Sequence, residues 1–262
     1  MGKWAIVTGG GTGIGKASAL RLARQNYNVL ILGRRKEVLE RAQVEITDQL
    51  DESSVKIEAI SCDLTLRDQL DSSLSNFLNN SEIRPHLKIL VNNAGQFLRE
   101  SFEESKPDSW QRLFDVNLMG VVNISQLLWP IFKENRGGRI INISSTLGLK
   151  PVPGTLAYSC LKSALNSLTE GMALEGAEHN ILVNSILPGI VDTPIHDFHS
   201  QSREERGELQ GILDSMQPLG RIGNPDEIAE AVAYFSSPHS TWTTGSLLKV
   251  DGGIHLTSKE PS

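Results

Sequence analysis

Short apolar runs rich in β-branched residues alternate with longer, helix-like segments along almost the whole chain. Runs such as Leu30-Ile31-Leu32 are apolar at every position, as in parallel strands that helices cover on both faces. The segments between the runs are long enough for crossover helices. We therefore predict an α/β protein with a doubly wound, seven-stranded parallel sheet. The predicted strands are Ala5 to Thr8, Asn28 to Leu32, Val55 to Ser61, Ile89 to Asn92, Arg139 to Ile143, Leu182 to Leu187 and Leu247 to Val250.

The regular alternation breaks between Thr193 and Arg221, where the chain is polar and charged. The predicted strand that ends at Leu187 leads into this segment, and ligands of open α/β sheets bind beyond the carboxyl ends of the strands. We therefore expect a substrate lid inserted at about residues 193–221. Because no Pro-, Ser- or charge-rich linker divides the 262 residues, we expect one domain over residues 1–262.

The composition narrows the class of partner. A formal net charge of -6, spread along the chain, argues against nucleic acid and against an anionic membrane surface. No apolar run reaches the ~20 residues that span a bilayer. Cys62 and Cys160 are far apart and are expected to be free thiols in a reducing compartment, the cytoplasm. His196 and His199 lack a carboxylate-supported ligand set, so we expect no metal.

A glycine-rich turn, Thr8-Gly9-Gly10-Gly11-Thr12-Gly13-Ile14-Gly15, joins the first predicted strand to the first predicted helix. Glycines let the backbone approach a pyrophosphate closely, and the amides and dipole of a helix N-terminus favour its negative charge. By itself the turn is also compatible with a tight connection that binds nothing.

The residues after the second predicted strand bear on the choice of dinucleotide. Nicotinamide-binding folds usually place there an acidic residue that holds the ribose hydroxyls, whereas this chain has Gly33, Arg34 and Arg35. Guanidinium groups match phosphate geometry, which favours NADP(H) and leaves NAD(H) possible. Alternatively, Arg34, Arg35 and Lys36 simply open a solvated helix. Asp63, after the third predicted strand, can accept from an adenine amino group, cap the next helix, or do both.

Tyr158 and Lys162 are four residues apart in a helix-like segment, so their side chains lie on one face. A neighbouring ammonium favours the phenolate and is expected to lower the tyrosine pKa towards the range that serves proton transfer. Alone, however, this spacing is common in helices and usually marks a surface pair.

Taken together and in order, the motifs resemble those of the short-chain dehydrogenase/reductase family, from Trp4 to Gly253. The resemblance implies a Rossmann fold and an oxidoreductase that transfers a hydride between a nicotinamide and a carbonyl or secondary alcohol. The matching motifs are the glycine turn, Asn92-Asn93-Ala94-Gly95, Asn117, Ser144-Ser145, Tyr158 with Lys162, Pro188-Gly189 and Asp251-Gly252-Gly253.

The same resemblance assigns the catalytic residues. It implies that Ser145 is the catalytic serine and that Tyr158 exchanges a proton with the substrate oxygen. Lys162 would lower the tyrosine pKa and hold the nicotinamide ribose, and Asn117 would hold a water in the proton relay.

The resemblance also assigns the cofactor site. NADP-preferring members often carry a basic residue where this chain has Thr12, so phosphate recognition would rest on Arg34 and Arg35 alone. The implied cofactor-binding residues are Gly9, Gly11, Thr12, Gly13, Ile14, Gly15, Arg34, Arg35, Asp63, Leu64, Asn93, Ala94, Gly95, Tyr158, Lys162, Pro188, Gly189, Val191 and Thr193.

Two alternatives remain open from the sequence. The first is a 3-oxoacyl-(acyl-carrier-protein) or acyl-CoA reductase, since many relatives share the turn Pro218-Leu219-Gly220-Arg221. Lys133, Arg136 and Arg139 are then candidates for holding an acidic carrier. The second is a non-catalytic, dinucleotide-sensing regulatory protein, which the complete set of catalytic residues disfavours.

The expected assembly also follows from the resemblance. Helices around Ser109 to Lys133 and Ala157 to Ala177 resemble those that pair relatives into tetramers, so we expect a homo-oligomer, a tetramer or a dimer. Small residues recur on the second helix at four-residue spacing, and the alternative is that they pack against the chain's own sheet. These residues are Ser159, Ser163, Ser167 and Gly171.

Overall fold

The computed structural model describes residues 2–50, 55–196 and 211–257. All seven predicted strands are present, and no end differs from its prediction by more than two residues. The strands are β1 (Trp4–Thr8), β2 (Asn28–Gly33), β3 (Ile57–Ser61), β4 (Leu87–Asn92), β5 (Gly138–Ile143), β6 (Ile181–Pro188) and β7 (Leu247–Val250).

The strands form one sheet in the order β3-β2-β1-β4-β5-β6-β7, and every neighbouring pair is parallel. The predicted doubly wound parallel sheet is therefore confirmed. From β1 the chain proceeds outward to β3 and then returns to place β4 on the other side of β1. The crevice between the carboxyl ends of β1 and β4 is thus the topological switch point at which such sheets bind ligands.

Helices cover both faces of the sheet because successive strand residues point to opposite sides. In β1, Ala5 and Val7 face a core that includes α1, α2 and α7, whereas Trp4 and Ile6 face a core that includes α3, α5 and α6. Residues 211–216 are also helical. The helices are α1 (Gly13–Ala23), α2 (Lys36–Thr47), α3 (Arg67–Leu78), α4 (Pro107–Phe114), α5 (Gly120–Glu134), α6 (Leu156–Gly176) and α7 (Pro225–Ser236).

The small-residue stripe of α6 lies mostly on the outside of the chain. Ser163, Ser167 and Gly171 are exposed, and a Cβ placed on Gly171 would meet no atom within 4 Å. Only Ser159 is buried, where its hydroxyl lies 3.0 Å from that of Thr155. Packing against the chain's own sheet therefore accounts for one of the four positions.

Residues 197–210 of the predicted lid lie outside the described residues. The segment that follows packs back on the chain, since the Leu219 amide donates to the Gly252 carbonyl and the Ile222 amide donates to Asp214. The role of the segment as a lid, and the extent of the domain, stay predictions. Within the described residues, no helix has the length and apolarity to cross a membrane.

Candidate active site

The four residues assigned to catalysis are all buried at the carboxyl edge of the sheet. Ser145 follows β5, Tyr158 and Lys162 lie on the first turns of α6, and Asn117 lies between α4 and α5. Tyr158 and Ser145 are each 8% exposed, Lys162 is 4% exposed and Asn117 is fully buried. The structure thus brings together side chains that are up to 45 positions apart in sequence, from 117 to 162.

Lys162 is held by the strand beside it. Its Nζ donates to the Ile143 carbonyl over 2.9 Å and lies 5.5 Å from the centre of the Tyr158 ring. The Ser144 hydroxyl in turn donates to the Lys162 carbonyl. These contacts fix α6 against the end of β5, where the Tyr158 hydroxyl forms a hydrogen bond with Ser145.

The electrostatics differ from the expectation based on sequence spacing. Burial raises the pKa of Tyr158, and a hydrogen bond with Ser145 opposes this rise only in part. Burial also lowers the pKa of Lys162 to about 8. Both directions have one cause, because an enclosed site disfavours the charged form of each group. The expected fall in the tyrosine pKa is therefore wrong, and Tyr158 stays protonated at neutral pH.

Asn117 lies in an unusual stretch of helix. Residues Asp115–Met119 form a π-helical segment between α4 and α5, a geometry that is frequent at functional sites. The side-chain Nδ2 of Asn117 donates to the backbone carbonyls of Gln96 and Leu113, each over 3.0 Å. Its Oδ1 accepts from the backbone amide of Gln96. In this structure the side chain therefore anchors the loop that follows β4.

That loop supplies an aromatic residue that the sequence analysis missed. The ring of Phe97 packs edge-on against Tyr158, with centroids 5.0 Å apart and planes at 87°. Phe97 lies two positions after Gly95 and belongs to no motif, so its role depends on the fold of the loop. The Ile143 carbonyl was missed as well, since a backbone acceptor leaves no sequence signal.

The glycine turn is closed too tightly for side chains. Gly9 has φ +64°, and a Cβ on Gly15 would lie 2.3 Å from the Gly9 carbonyl oxygen. Thr12 precedes α1 without a capping side chain, and the first turn of α1 contains no acidic residue. The first amides of α1 are therefore left for an external acceptor, which suits a phosphate.

A set of hydrogen bonds joins the glycine turn to the loop after β4. The Thr8 hydroxyl donates to the Val91 carbonyl and accepts from the amides of Asn93 and Ala94. The Asn93 side chain donates to the carbonyls of Thr8 and Gly9. Asn93 and Ala94, both assigned to the cofactor site, are thus hydrogen-bonded directly to the glycine turn.

The segment after β6 closes the other side of the same crevice. A Cβ on Gly13 would lie 3.2 Å from the Thr193 side chain, so Thr193 borders the glycine turn. The Pro188 carbonyl accepts from the Thr146 hydroxyl. Gly189 lies against the backbone of the Asp251-Gly252-Gly253 motif, and Val191 bridges to Gly223.

Not every assigned cofactor residue points into this crevice. A Cβ on Gly11 would lie 3.0 Å from Val38 of α2, and Ile14 packs on the core. Asp63 accepts from the amide and hydroxyl of Thr65, so it forms a local turn before α3 and not its N-cap, which is Leu66. The Asp63 amide donates to the Gln69 side chain, so the expected contact with an adenine falls to the carboxylate and stays a prediction.

Arg34 and Arg35 lie at the end of β2 and are exposed. In the part of the chain that the structure describes, neither forms an ion pair. Their charges are therefore available to an anionic ligand. Together with the tight turn and the uncapped helix, they fit a nicotinamide dinucleotide with a phosphate on its adenosine ribose.

The basic residues considered for an acidic carrier do not face this site within one chain. Arg136 and Arg139 lie at the amino end of β5, and Arg139 is about 13 Å along the strand from Ile143. Across residues 2–50, 55–196 and 211–257, no three His, Cys, Asp or Glu side chains group together as metal ligands. The His196 and His199 side chains lie outside the described part.

Comparison with known proteins agrees with this geometry. A family model described as short chain dehydrogenase matches residues 3–204. The chain is 30% identical over 253 residues to a 3-oxoacyl-(acyl-carrier-protein) reductase of Thermotoga maritima, a match that covers 97% of this chain and 98% of that protein.

Solved structures agree over similar lengths. The L-sorbose reductase of Gluconobacter frateurii, complexed with NADPH and L-sorbose, has a TM-score of 0.89 and 28% identity, covering 98% of this chain and 97% of that one. A 3-ketoacyl-(acyl-carrier-protein) reductase of Brucella melitensis, complexed with NADH, has a TM-score of 0.82 and 30% identity, covering 97% and 98%. The chain therefore belongs to the short-chain dehydrogenase/reductase family and is a nicotinamide-dependent oxidoreductase of carbonyl or alcohol groups.

Proposed function

We propose that the protein is an NADP(H)-preferring carbonyl reductase in which Tyr158 exchanges a proton with the substrate oxygen. One observation carries the proposal: Ser145, Tyr158 and Lys162 are buried together beside the glycine turn. The turn and the catalytic residues are joined through the loop after β4, where a Cβ on Gly95 would lie 3.9 Å from the Lys162 Nζ. A carbonyl bound there has both an acid and a second hydrogen-bond donor within the same enclosure.

In the reductive direction, the dinucleotide supplies a hydride to the carbonyl carbon when it is bound. Tyr158 donates its proton to the carbonyl oxygen, and its raised pKa keeps that proton in place at neutral pH. The Ser145 hydroxyl donates a second hydrogen bond to the same oxygen as negative charge develops there. Such donors stabilise the transition state more strongly in a site that excludes water.

Lys162 and Asn117 support the proton transfer from Tyr158. The Lys162 ammonium favours the phenolate that Tyr158 becomes after it has given up its proton, and it would hold the nicotinamide ribose hydroxyls. Asn117 anchors the Gln96 backbone and would hold a water in the path by which Tyr158 recovers a proton. The burial of both residues limits exchange of this proton with bulk water.

The preference for NADP(H) rests on this chain's own residues, since one related structure contains NADPH and another contains NADH. Arg34 and Arg35 stand where a ribose-binding carboxylate would repel a 2′-phosphate. Planar guanidinium groups make strong paired hydrogen bonds to phosphate. The remaining assigned residues would hold the pyrophosphate, the adenine, and the nicotinamide with its ribose.

A fatty-acyl substrate is the second candidate, favoured by the name of the Thermotoga maritima relative. The candidate carrier-binding residues Arg136 and Arg139 lie at the opposite edge of the sheet from Ser145 within one chain. Within one chain these arginines cannot hold a carrier protein beside Ser145. The fatty-acyl substrate that a single chain can bind is therefore a free acyl thioester, such as an acyl-CoA.

We further propose a cytoplasmic homo-oligomer, a tetramer or a dimer. The exposed stripe of Ser163, Ser167 and Gly171 on α6 supports close contact with a second copy, because small side chains let helices approach. The free thiols of Cys62 and Cys160 support a reducing compartment.

Substitution Tyr158→Phe tests the acid/base role. We expect turnover of a carbonyl panel to fall by about 10²- to 10⁴-fold, while the affinity for dinucleotide is retained. Tyr234→Phe is the matched control, since Tyr234 is half exposed on α7, and it should leave turnover unchanged. Full activity of Tyr158→Phe would contradict the role and would revive the regulatory alternative.

Substitution Arg34→Ala tests the phosphate site. The KM for NADPH should rise by about tenfold or more because a charge-assisted hydrogen bond is lost, whereas the KM for NADH should change little. Arg24→Ala removes the same charge at an exposed position after α1 and serves as the control. Equal use of the two dinucleotides by the wild type, unaffected by Arg34→Ala, would overturn the preference.

A further inference from the structure

A second concentration of basic side chains lies at the opposite edge of the sheet from Tyr158. It surrounds a cavity of about 160 Å³ at the amino ends of β1, β4 and β5. Lys3, Tyr27, Lys88 and Arg139 are the lining residues that carry the inference, and we refer to this cavity as the basal pocket. On the same measure a single water needs only ~10–15 Å³, so the cavity has room for a small ion with several oxygens.

A break in strand register directs one of these cations. Trp4 pairs with Leu87 and Ala5 pairs with Ile89, so Lys88 is an extra residue in β4 that has no partner in β1. The bulge resets the alternation, since Leu87 lies in one core and Ile89 in the other. Bulges commonly re-aim a side chain, and here the bulge places a lysine in the pocket wall.

Arg139 brings unused hydrogen-bonding capacity. It pairs with Ile89 on the neighbouring strand, one residue beyond the bulge. One terminal nitrogen of its guanidinium donates to the Ser240 carbonyl over 3.3 Å, whereas its buried Nε has no partner in the described structure. A buried donor without an acceptor costs stability, and the guanidinium that carries this donor lines the pocket.

The charges in the basal pocket are not balanced from within. Its lining includes four basic residues, Lys3, Lys88, Arg136 and Arg139, and among the described lining residues there is no Asp or Glu. The nearby Glu134, on α5, is already paired with Arg84, Nε to Oε2 being 2.9 Å.

The energetic consequence falls on Lys88 and Arg139, whose side chains are half-buried. Burial, and then the neighbouring Lys3, lower the pKa of Lys88, and burial lowers the pKa of Arg139. Unlike a solvated charged face, this cluster keeps cations partly out of water without a counter-ion. That arrangement is unfavourable unless an anion compensates it.

We propose that the basal pocket binds a small phosphate, either the free ion or the phosphate group of a small monoester. Arg139 and Lys88 would hold its oxygens, Lys3 would contribute from the exposed rim, and the Tyr27 hydroxyl, which already donates to the Ser236 carbonyl, would border it. The pocket is separate from the glycine turn, so phosphate and dinucleotide occupy the protein together.

Isothermal titration calorimetry with inorganic phosphate at constant ionic strength tests this proposal. We expect saturable binding of one phosphate per chain, persisting when either NADPH or NADH is saturating. Acetate, as a monovalent oxyanion, should bind at least about tenfold more weakly. Glycerol phosphate distinguishes the two sources: binding identifies a monoester site, and exclusion identifies a site for the free ion.

Three variants locate the ion. Lys88→Gln and Arg139→Gln should each weaken phosphate binding by about tenfold or more. Lys3→Gln should also weaken phosphate binding and, because Lys3 is exposed, should leave folding intact. Lys106→Gln removes the same charge from an exposed position before α4 and should bind phosphate as the wild type does. Absence of saturable binding, loss of binding with dinucleotide, or wild-type affinity in folded Lys88→Gln and Lys3→Gln would each overturn the proposal.

Discussion

Lys162→Met removes a charge that the fold buries, while keeping a side chain of similar length. The lysine is 4% exposed, and burial lowers its pKa from 10.5 to about 8. At 1.36 kcal/mol per pKa unit, keeping the ammonium in this site costs the folded state about 3 kcal/mol at pH 7. Methionine avoids that cost. It also leaves the Ile143 carbonyl without its donor, which destabilises the folded variant by about 1–3 kcal/mol.

The pH dependence separates these two contributions. Between pH 8 and 10.5 the unfolded chain holds the Lys162 proton and the folded chain does not, so the stability of the wild type rises with pH across this window. The hydrogen bond to Ile143 can be donated by the neutral amine as well, so its contribution stays nearly constant. The difference in unfolding free energy, Lys162→Met minus wild type, should therefore fall by about 3 kcal/mol from pH 7 to pH 10.5.

Urea unfolding of both proteins at several pH values, without added dinucleotide, measures this difference. Groups common to the two proteins cancel, which isolates Lys162. Lys106→Met, at an exposed site, should give a flat difference over the same window. A flat difference for Lys162→Met would refute the buried-charge account of the site. The variant should also lose most of its reductase activity, so here stability and activity change in opposite directions.

Three further predictions concern the site and its surroundings. Phe97→Ala removes the edge-on contact with Tyr158 and should lower kcat/KM about tenfold in steady-state assays, whereas Phe97→Leu should recover part of it. Gly15→Ala places a Cβ 2.3 Å from a backbone carbonyl of the turn and should lower the unfolding free energy by about 1–3 kcal/mol and weaken dinucleotide binding; wild-type affinity by fluorescence titration would argue against the close approach. In thiol labelling of the native protein, exposed Cys160 should react first, while Cys62, whose pKa burial raises to about 11, should react only on unfolding.

The architecture follows from local sequence pattern to an unusual degree. Apolar runs such as Leu30-Ile31-Leu32 are typical of central strands between two helical layers, and the helix-length segments between them favour parallel pairing. Strand ends were less well determined. Leu87 and Lys88 belong to β4 although the predicted strand begins at Ile89, because the polar Lys88, which lies at the bulge, interrupts the apolar run that the prediction relies on.

In the candidate site, too, some features could be predicted from the sequence and others could not. Positions such as Tyr158 and Lys162 are recognisable because they belong to an ordered set of motifs that resembles the family, whereas their spacing in one helix is common by itself. The bond from Lys162 to the Ile143 carbonyl, and the anchoring of Gln96 by Asn117, connect segments that only the folded chain makes adjacent. No local pattern encodes such contacts.

The sequence by itself determined the sheet and the position of the glycine turn, since these depend on side-chain type and local spacing. The assignment of the reacting groups came from the family resemblance and stays a prediction. Only the tertiary structure decided the direction in which the Tyr158 pKa shifts, the packing of Phe97 against it, and the meeting of Lys88 with Arg139 at the far edge of the sheet. The physical reason is that desolvation and charge balance depend on everything that surrounds a group. Those surroundings come from distant parts of the chain and exist only after the chain has folded.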